Sequence, residues 1–240
     1  MMTTLSLSEA IALVRKNLDE LDPNGSNMYT DEVSSSSDYG DNASMNGIIS
    51  RNLPEAINIV QLAAPVSLLE GESYSSADLD SVAVSSDGIL SFTLKDNVDF
   101  LRLVAFQASD SPIVVTDIIP EASPEGRKQL NPYIRGRADR PRLVLLQGRH
   151  TGPSFKYYTL DFDRAGFPSL VTSPSSAISQ LVYVKEQLHT ARTQAFNPSY
   201  PISRRLRQNI IDCLTAKVME TFGDARAQSF YDKANSFSAI

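Results

Sequence analysis

The chain has 240 residues, 42% apolar and 21% charged, enough for one large domain or two small ones, and its ten Phe and nine Tyr exclude whole-chain disorder. No run nears the roughly eighteen consecutive apolar residues of a membrane-spanning helix, and without a charged start followed by an apolar block no Sec-type signal peptide is expected. The net charge of −6 is uneven, with 13 acidic and 3 basic side chains in residues 1–80 against 15 and 19 in residues 81–240, which fits either an acidic loop on an ordinary remainder or two halves facing different neighbours.

The first element is a helix. Leu7, Ile11, Val14, Leu18 and Leu21 form one apolar stripe, Ser6 and Glu9 have the spacing of a capping box, and Asp22-Pro23-Asn24-Gly25 ends it by turn chemistry. Residues 26–46 read as a long acidic loop, with Asp31, Glu32, Asp38 and Asp41 around a run of serines; it is either a segment that orders on assembly or a floppy insertion. A second helix follows with Ile49, Leu53, Ile57, Val60 and Ala64 on one face, and Pro54 must sit in its first turn or kink it.

From about residue 80 the period becomes strand-like. The expected strands are Asp80–Val84, Ile89–Thr93, Leu101–Phe106, Ile113–Ile119, Arg142–Gln147, Phe155–Asp161 and Gln180–Val184, with Asp87-Gly88 as a hairpin signal and a short helix around Pro124–Leu130. Strands without repeated βα alternation favour an antiparallel sheet or sandwich. The last fifty residues return to helix: Pro201 and Ser203 introduce a stripe of Leu206, Ile210, Leu214 and Val218, Gly223 ends it, and Asp224 can cap a final helix with Ala227, Phe230, Tyr231 and Ala234 inward. The expected fold is α+β, with residues 1–75 and 200–240 as a helical bundle and residues 76–199 as a β-rich domain.

Catalytic signatures are absent from the sequence: there is no phosphate-binding glycine loop, no HExxH and no GxSxG elbow. Asp161 and Asp163 share a strand face and could mimic a glycosidase carboxylate pair, but a solvated strand end fits them better. Cys213 can close no intrachain disulfide and reads as a packed apolar residue, and with only His150 and His189 no structural zinc is expected. No catalytic residue, metal or cofactor is expected.

The basic clusters carry more information. Arg135, Arg137, Arg140 and Arg142 fall within eight residues beside a single aspartate, with Arg149 beyond the next strand. Arg204, Arg205 and Arg207 fall in the first turn of the C-terminal helix, where the dipole disfavours each exposed cation by roughly 0.3–1 kcal/mol. Guanidinium groups suit carboxylates and phosphates. Three readings stay open: a solvated charged face, acidic loops of neighbouring subunits, or DNA phosphates, the last weakened by the overall acidity.

Leu53-Pro54-Glu55-Ala56-Ile57-Asn58, then Asp87-Gly88, then Phe92-Thr93-Leu94-Lys95-Asp96-Asn97-Val98-Asp99-Phe100-Leu101-Arg102-Leu103, and finally Ile211 to Phe237 around Gly223-Asp224 follow one another in an order that resembles the podovirus head-to-tail adaptor family. That family includes the tail tubular protein A type and is similar here to the ring proteins of crAss-like bacteriophages. Lys95 stands where the family has a proline, and the turn is longer. The resemblance implies a helical bundle joined to a β-rich domain in a homo-oligomeric ring, commonly twelve copies around a DNA channel, docked to the portal and other tail or ring proteins in the virion. It implies no enzyme activity and no membrane, with at most non-specific contact with DNA. On that reading Asp31, Glu32, Asp38 and Asp41 are docking-loop candidates, and the arginines are subunit or channel contacts. A carbohydrate-binding or glycan-cleaving β-sandwich module is the alternative, although the chain has no Trp to build a stacking platform.

Overall fold

A computed structural model of the chain describes residues 2–18, 45–85, 89–109, 111–131, 133–136, 140–146, 152–158, 177–188 and 198–237. The acidic segment from Asp31 to Asp41, the Asp87-Gly88 turn, Arg137, Arg149, His150, His189, Asp161 and Asp163 lie outside these residues. The protein is a mixed α and β chain, and no helix among the described residues is long and apolar enough to cross a membrane. It divides into two compact units, Met1–Glu70 with Glu186–Ile240, and Gly71–Lys185.

The first unit is made from both ends of the chain. Strand β1 (Met2–Ser6) runs directly into helix α1 (Leu7–Asn17), whose start Ser6 caps by accepting from the Glu9 amide at 3.3 Å. Leu18 is the C-cap of α1, and Leu21 with the turn expected at 22–25 lies outside the described residues. Helix α2 (Met45–Ala63) begins inside the stretch read as loop and carries Pro54 in its interior rather than its first turn. The lost N–H is tolerated because Leu53, Ala56 and Ile57 around it are fully buried. Strand β10 (Ser199–Ser203) pairs antiparallel with β1, from Met2 opposite Ser203 to Ser6 opposite Ser199. Neither strand was expected. The segment assigned to introducing the last helices is therefore half of a ladder, because its backbone groups find partners nearly two hundred residues away.

A 3-10 turn (Arg204–Leu206) leads into α4 (Arg207–Thr221), which packs against α1, α2 and the final helix α5 (Ala227–Ala234). Leu206, Ile210, Leu214 and Val218 are all fully buried. Polar ties cross the contacts: Asn17 Nδ2 donates to Thr215 at 3.2 Å, Lys217 pairs with Glu55 at 2.9 Å, and Asn209 Nδ2 donates to the Ala234 carbonyl at 2.8 Å. Gly223 ends α4 in the left-handed region, φ 70°. Asp224 does not occupy the cap of α5, which belongs to Arg226; its carboxylate instead accepts from the Arg226 amide at 2.8 Å.

The second unit holds two sheets. The larger runs β3 (Leu79–Val84), β4 (Leu90–Leu94), β8 (Ser154–Tyr158), β7 (Arg142–Leu146) and β6 (Ile118–Pro120); the smaller runs β2 (Glu72–Ser73), β9 (Ile178–Lys185) and β5 (Phe100–Ala108). The expected antiparallel pairing holds for the other described strand pairs, but β6 lies parallel to β7 with Ile118 opposite Leu143. The connection between them is long enough for a crossover and carries helix α3 (Pro124–Lys128). The expected strand Ile113–Ile119 is broken as well, since only Val115 bridges to Phe106 before β6 begins.

Both sheets feed one core. Phe92 of β4 stacks on Phe106 of β5 at 5.2 Å and on Phe155 of β8 at 4.9 Å, and Phe106 meets Tyr157 at 5.2 Å. Such pairs contribute about 0.5–1.5 kcal/mol each beyond area burial. The run Phe92 to Leu103 crosses from the larger sheet to the smaller through a turn in which the Val98 amide donates to the Lys95 carbonyl at 3.1 Å. On the opposite face of the larger sheet, Arg142, Val144 and Leu146 alternate outward from β7 beside Tyr158, Lys156 and Ser154 of β8.

Candidate functional site

The described residues of the β6–β7 crossover, 121–131 and 133–136, come against one end of that face, with Gly136 beside Tyr158 and Arg142. Ser123 caps α3, accepting from the Gly126 amide at 3.0 Å and donating to the Pro120 carbonyl at 2.6 Å. Gly126 is required there, because a Cβ would lie 2.3 Å from the Pro120 carbonyl oxygen. Gln129, buried, holds the returning chain: its Nε2 donates to the Glu125 carbonyl at 3.2 Å, and its Oε1 accepts from the Gly136 amide at 2.7 Å. Asn131 accepts from the Tyr133 amide at 3.0 Å and shapes the turn between them. Gly136 passes so close to the sheet that a Cβ would meet the Tyr158 carbonyl oxygen at 2.6 Å and the Arg142 nitrogen at 2.9 Å.

These constraints enclose a notch of about 320 Å³ lined by Glu125, Lys128, Gln129, Arg135, Arg140 and Arg142, with Ile134 and Gly136. Arg135 is 5% exposed, whereas Arg140 is on the surface and Arg142 half-buried. Among the described residues, this lining thus holds four cations and the Glu125 carboxylate. Glu125 and Lys128 pair at 2.7 Å, and that hydrogen bond and charge, with Arg142 beyond, hold the Glu125 carboxyl below its usual range. Burial pushes the Tyr158 phenol up, as does Glu121, while Arg135 opposes them. Such a lining suits an oxyanion, carboxylate or phosphate.

Beside the notch, Leu130, Tyr133 and Ile134 stand out of the surface at 65%, 86% and 56% exposure. Sequence reasoning singled out the arginines and missed this tip, although a Tyr-Ile pair between Asn131 and Arg135 follows no helix or strand period. It also missed Lys128 and Gln129, which reach the notch only because α3 folds back. A second hollow of about 350 Å³ lies on the outer face of the larger sheet, with the hydroxyls of Ser81, Ser91, Thr93 and Ser154 around Lys156. Thr93 and Ser154 hydrogen-bond each other there at 2.9 Å.

Arg135, Arg140 and Arg142 are therefore brought together, with Arg137 outside the described residues. The other cluster sits in the first unit. Arg204 and Arg205 are exposed in the 3-10 turn rather than in the helix, and Arg205 Nη1 donates to the Ser67 carbonyl at 3.5 Å. Arg207, the first residue of α4, pairs with the Glu9 carboxylate. Cys213 is buried and its thiol is pushed up to about 11, chiefly by burial, which makes it a packing group at neutral pH rather than a nucleophile. Among the described residues no three His, Cys, Asp or Glu side chains gather as a metal site would need. Comparison with protein-family models, with curated proteins and with solved structures finds no match.

Proposed function

We propose that the chain is a non-enzymatic structural protein of a bacteriophage virion, a ring-forming head-to-tail adaptor that docks to a portal or tail ring around the DNA channel. The observation that carries this reading is the discontinuous unit: the two chain ends join to form one compact body holding α1, α2, α4 and α5, and the middle of the chain forms a separate β body. The resemblance of Leu53–Asn58, Phe92–Leu103 and Ile211–Phe237 to the adaptor family implies a helical bundle joined to a β-rich domain, and a unit holding four helices beside a separate β-rich unit supports that reading. On this reading the helices of the first unit are the adaptor's helical domain. A surface that pairs arginines with exposed aromatic and aliphatic side chains also suits a subunit contact.

The glycan-module alternative draws less support. The hydroxyl-lined hollow offers no aromatic face for a sugar ring, since Phe92 and Phe155 beneath it turn into the core. Negative-stain microscopy with mass determination on the purified chain, alone and with its portal and tail-ring neighbours, tests the proposal. Closed rings with a central hole are expected; a monomer in every mixture and at every concentration overturns it.

A further inference from the structure

We propose that the outer edge of β1 pairs with the same edge of a second copy of this chain, antiparallel about a two-fold axis at Thr4, joining two ladders into one four-stranded sheet. The ladder's register shows which groups that edge presents. The Leu7 amide donates to the Pro198 carbonyl at 2.9 Å, one step beyond Ser6 opposite Ser199. Antiparallel pairs alternate between bonded and unbonded. Thr3 with Ile202 and Leu5 with Tyr200 are then the bonded pairs, and Thr4 stands opposite Pro201, which has no N–H to give. The N–H and C=O of Thr4, the C=O of Met2 and the N–H of Ser6 therefore point away from β10. Among the described residues the sheet ends there, since it consists of β1 and β10 alone.

Other strand edges in the fold are blunted. Pro201 interrupts the outer edge of β10, and Ser203 ties that strand to the Leu68 carbonyl at 2.7 Å. Pro120 ends β6, Val115 bridges to β5, and β3 has a register shift between Leu79 and Ser81 with Asp80 exposed beside it. Strand β1 has none of these devices: Met2–Ser6 holds no charge, no proline and no register shift.

The occupant follows from the strand itself. The edge needs an extended, uncharged strand offering N–H and C=O groups at alternate positions, and β1 turned on itself meets that need. With Thr4 opposite its own counterpart, the Ser6 amide of each copy reaches the Met2 carbonyl of the other. Threonine opposite threonine is a favourable cross-strand pair. Thr4 is exposed and Met2 is 41% exposed, while Leu5, Tyr200 and Ile202 are buried on the other face and hold the ladder in this register. The contact is isologous and closes on itself, so it goes beyond the ring reading, whose subunit contacts are heterologous.

The test is sedimentation velocity of the full chain, comparing wild type with Thr4→Lys, Thr4→Glu and an equal mixture of the two variants at low salt. Thr4 is exposed, so far-UV circular dichroism and Tm are expected to match wild type. The contact is small, so wild type is expected to dimerise weakly, with a Kd of roughly 10 μM–1 mM. Each variant alone places like charges opposite each other at the axis and is expected to dimerise at least about tenfold more weakly, and the mixture is expected to recover dimer by pairing lysine with glutamate. Wild type without a dimer throughout that range overturns the inference. Assembly that ignores both substitutions belongs to another surface and also overturns it, leaving the ring reading standing if the assemblies are rings. Loss in both variants without recovery in the mixture overturns the two-fold pairing at Thr4.

Discussion

Arg207, the first residue of the long C-terminal helix, is paired with Glu9 in the first turn of the N-terminal helix. The cation sits where the macrodipole of α4 disfavours it, and Glu9 offsets that cost from within the chain. Glu9 therefore turns to Arg207, although its spacing from Ser6 suited it to complete a capping box. Of the C-terminal arginines, this one already has the carboxylate that the sequence reading sought in a partner.

Because both side chains are about two-fifths exposed, the pair is partly screened. Glu9→Gln and Arg207→Gln are each expected to lower stability by about 0.2–1 kcal/mol, with a double-mutant cycle showing coupling that shrinks in high salt. Urea denaturation at two ionic strengths measures this, and additive effects would show that the pair contributes nothing.

Gly136→Ala is expected to destabilise by roughly 1–3 kcal/mol, because the methyl would press on the backbone of Tyr158 and Arg142 rather than on a movable side-chain tip. Gly223→Ala provides the contrast. Nothing lies within 4 Å of a Cβ there, but the φ of 70° costs about 1–2 kcal/mol. Urea midpoints report both losses.

Phe92→Ala should cost about 3–5 kcal/mol, since the ring is 1% exposed and stacks on Phe106 and Phe155. Phe106→Ala should cost a similar amount. The double variant is expected to lose less than the sum, because each single change already removes their shared contact. Strict additivity in chemical denaturation would contradict the stack.

Cys213 is expected to resist alkylation in the native protein at pH 8 and to react fully once unfolded, as followed by mass spectrometry. Its thiol keeps its proton to about 11 when folded. The folded state thus binds that proton more tightly than the unfolded chain does. Stability from this group is whole below the thiol's ordinary range and is lost as pH rises toward about 11. Cys213→Ala should flatten that alkaline loss in thermal melts, and rapid native labelling would refute the burial.

Where partners are close along the chain, the sequence by itself determined the structure. The stripe of Leu206, Ile210, Leu214 and Val218 and the Ser6 cap need only spacing and local hydrogen bonding. Helix α1 starts at Ser6, and Ile210, Leu214 and Val218 lie in α4 with Leu206 at its cap, although α4 starts later than Pro201 and Ser203 suggested. The clustering of Arg135, Arg140 and Arg142 was legible too, since eight residues of chain hold them together.

Only the tertiary structure decided the rest, because strand pairing and cavity walls depend on groups far apart in sequence. The β1–β10 ladder joins the two ends of the chain, and the parallel register of β6 on β7 depends on a crossover that no local pattern specifies. The notch itself exists because Gln129 clamps Gly136 against Tyr158 and Arg142, turning a basic stretch of sequence into a concave, positively charged surface with an apolar tip.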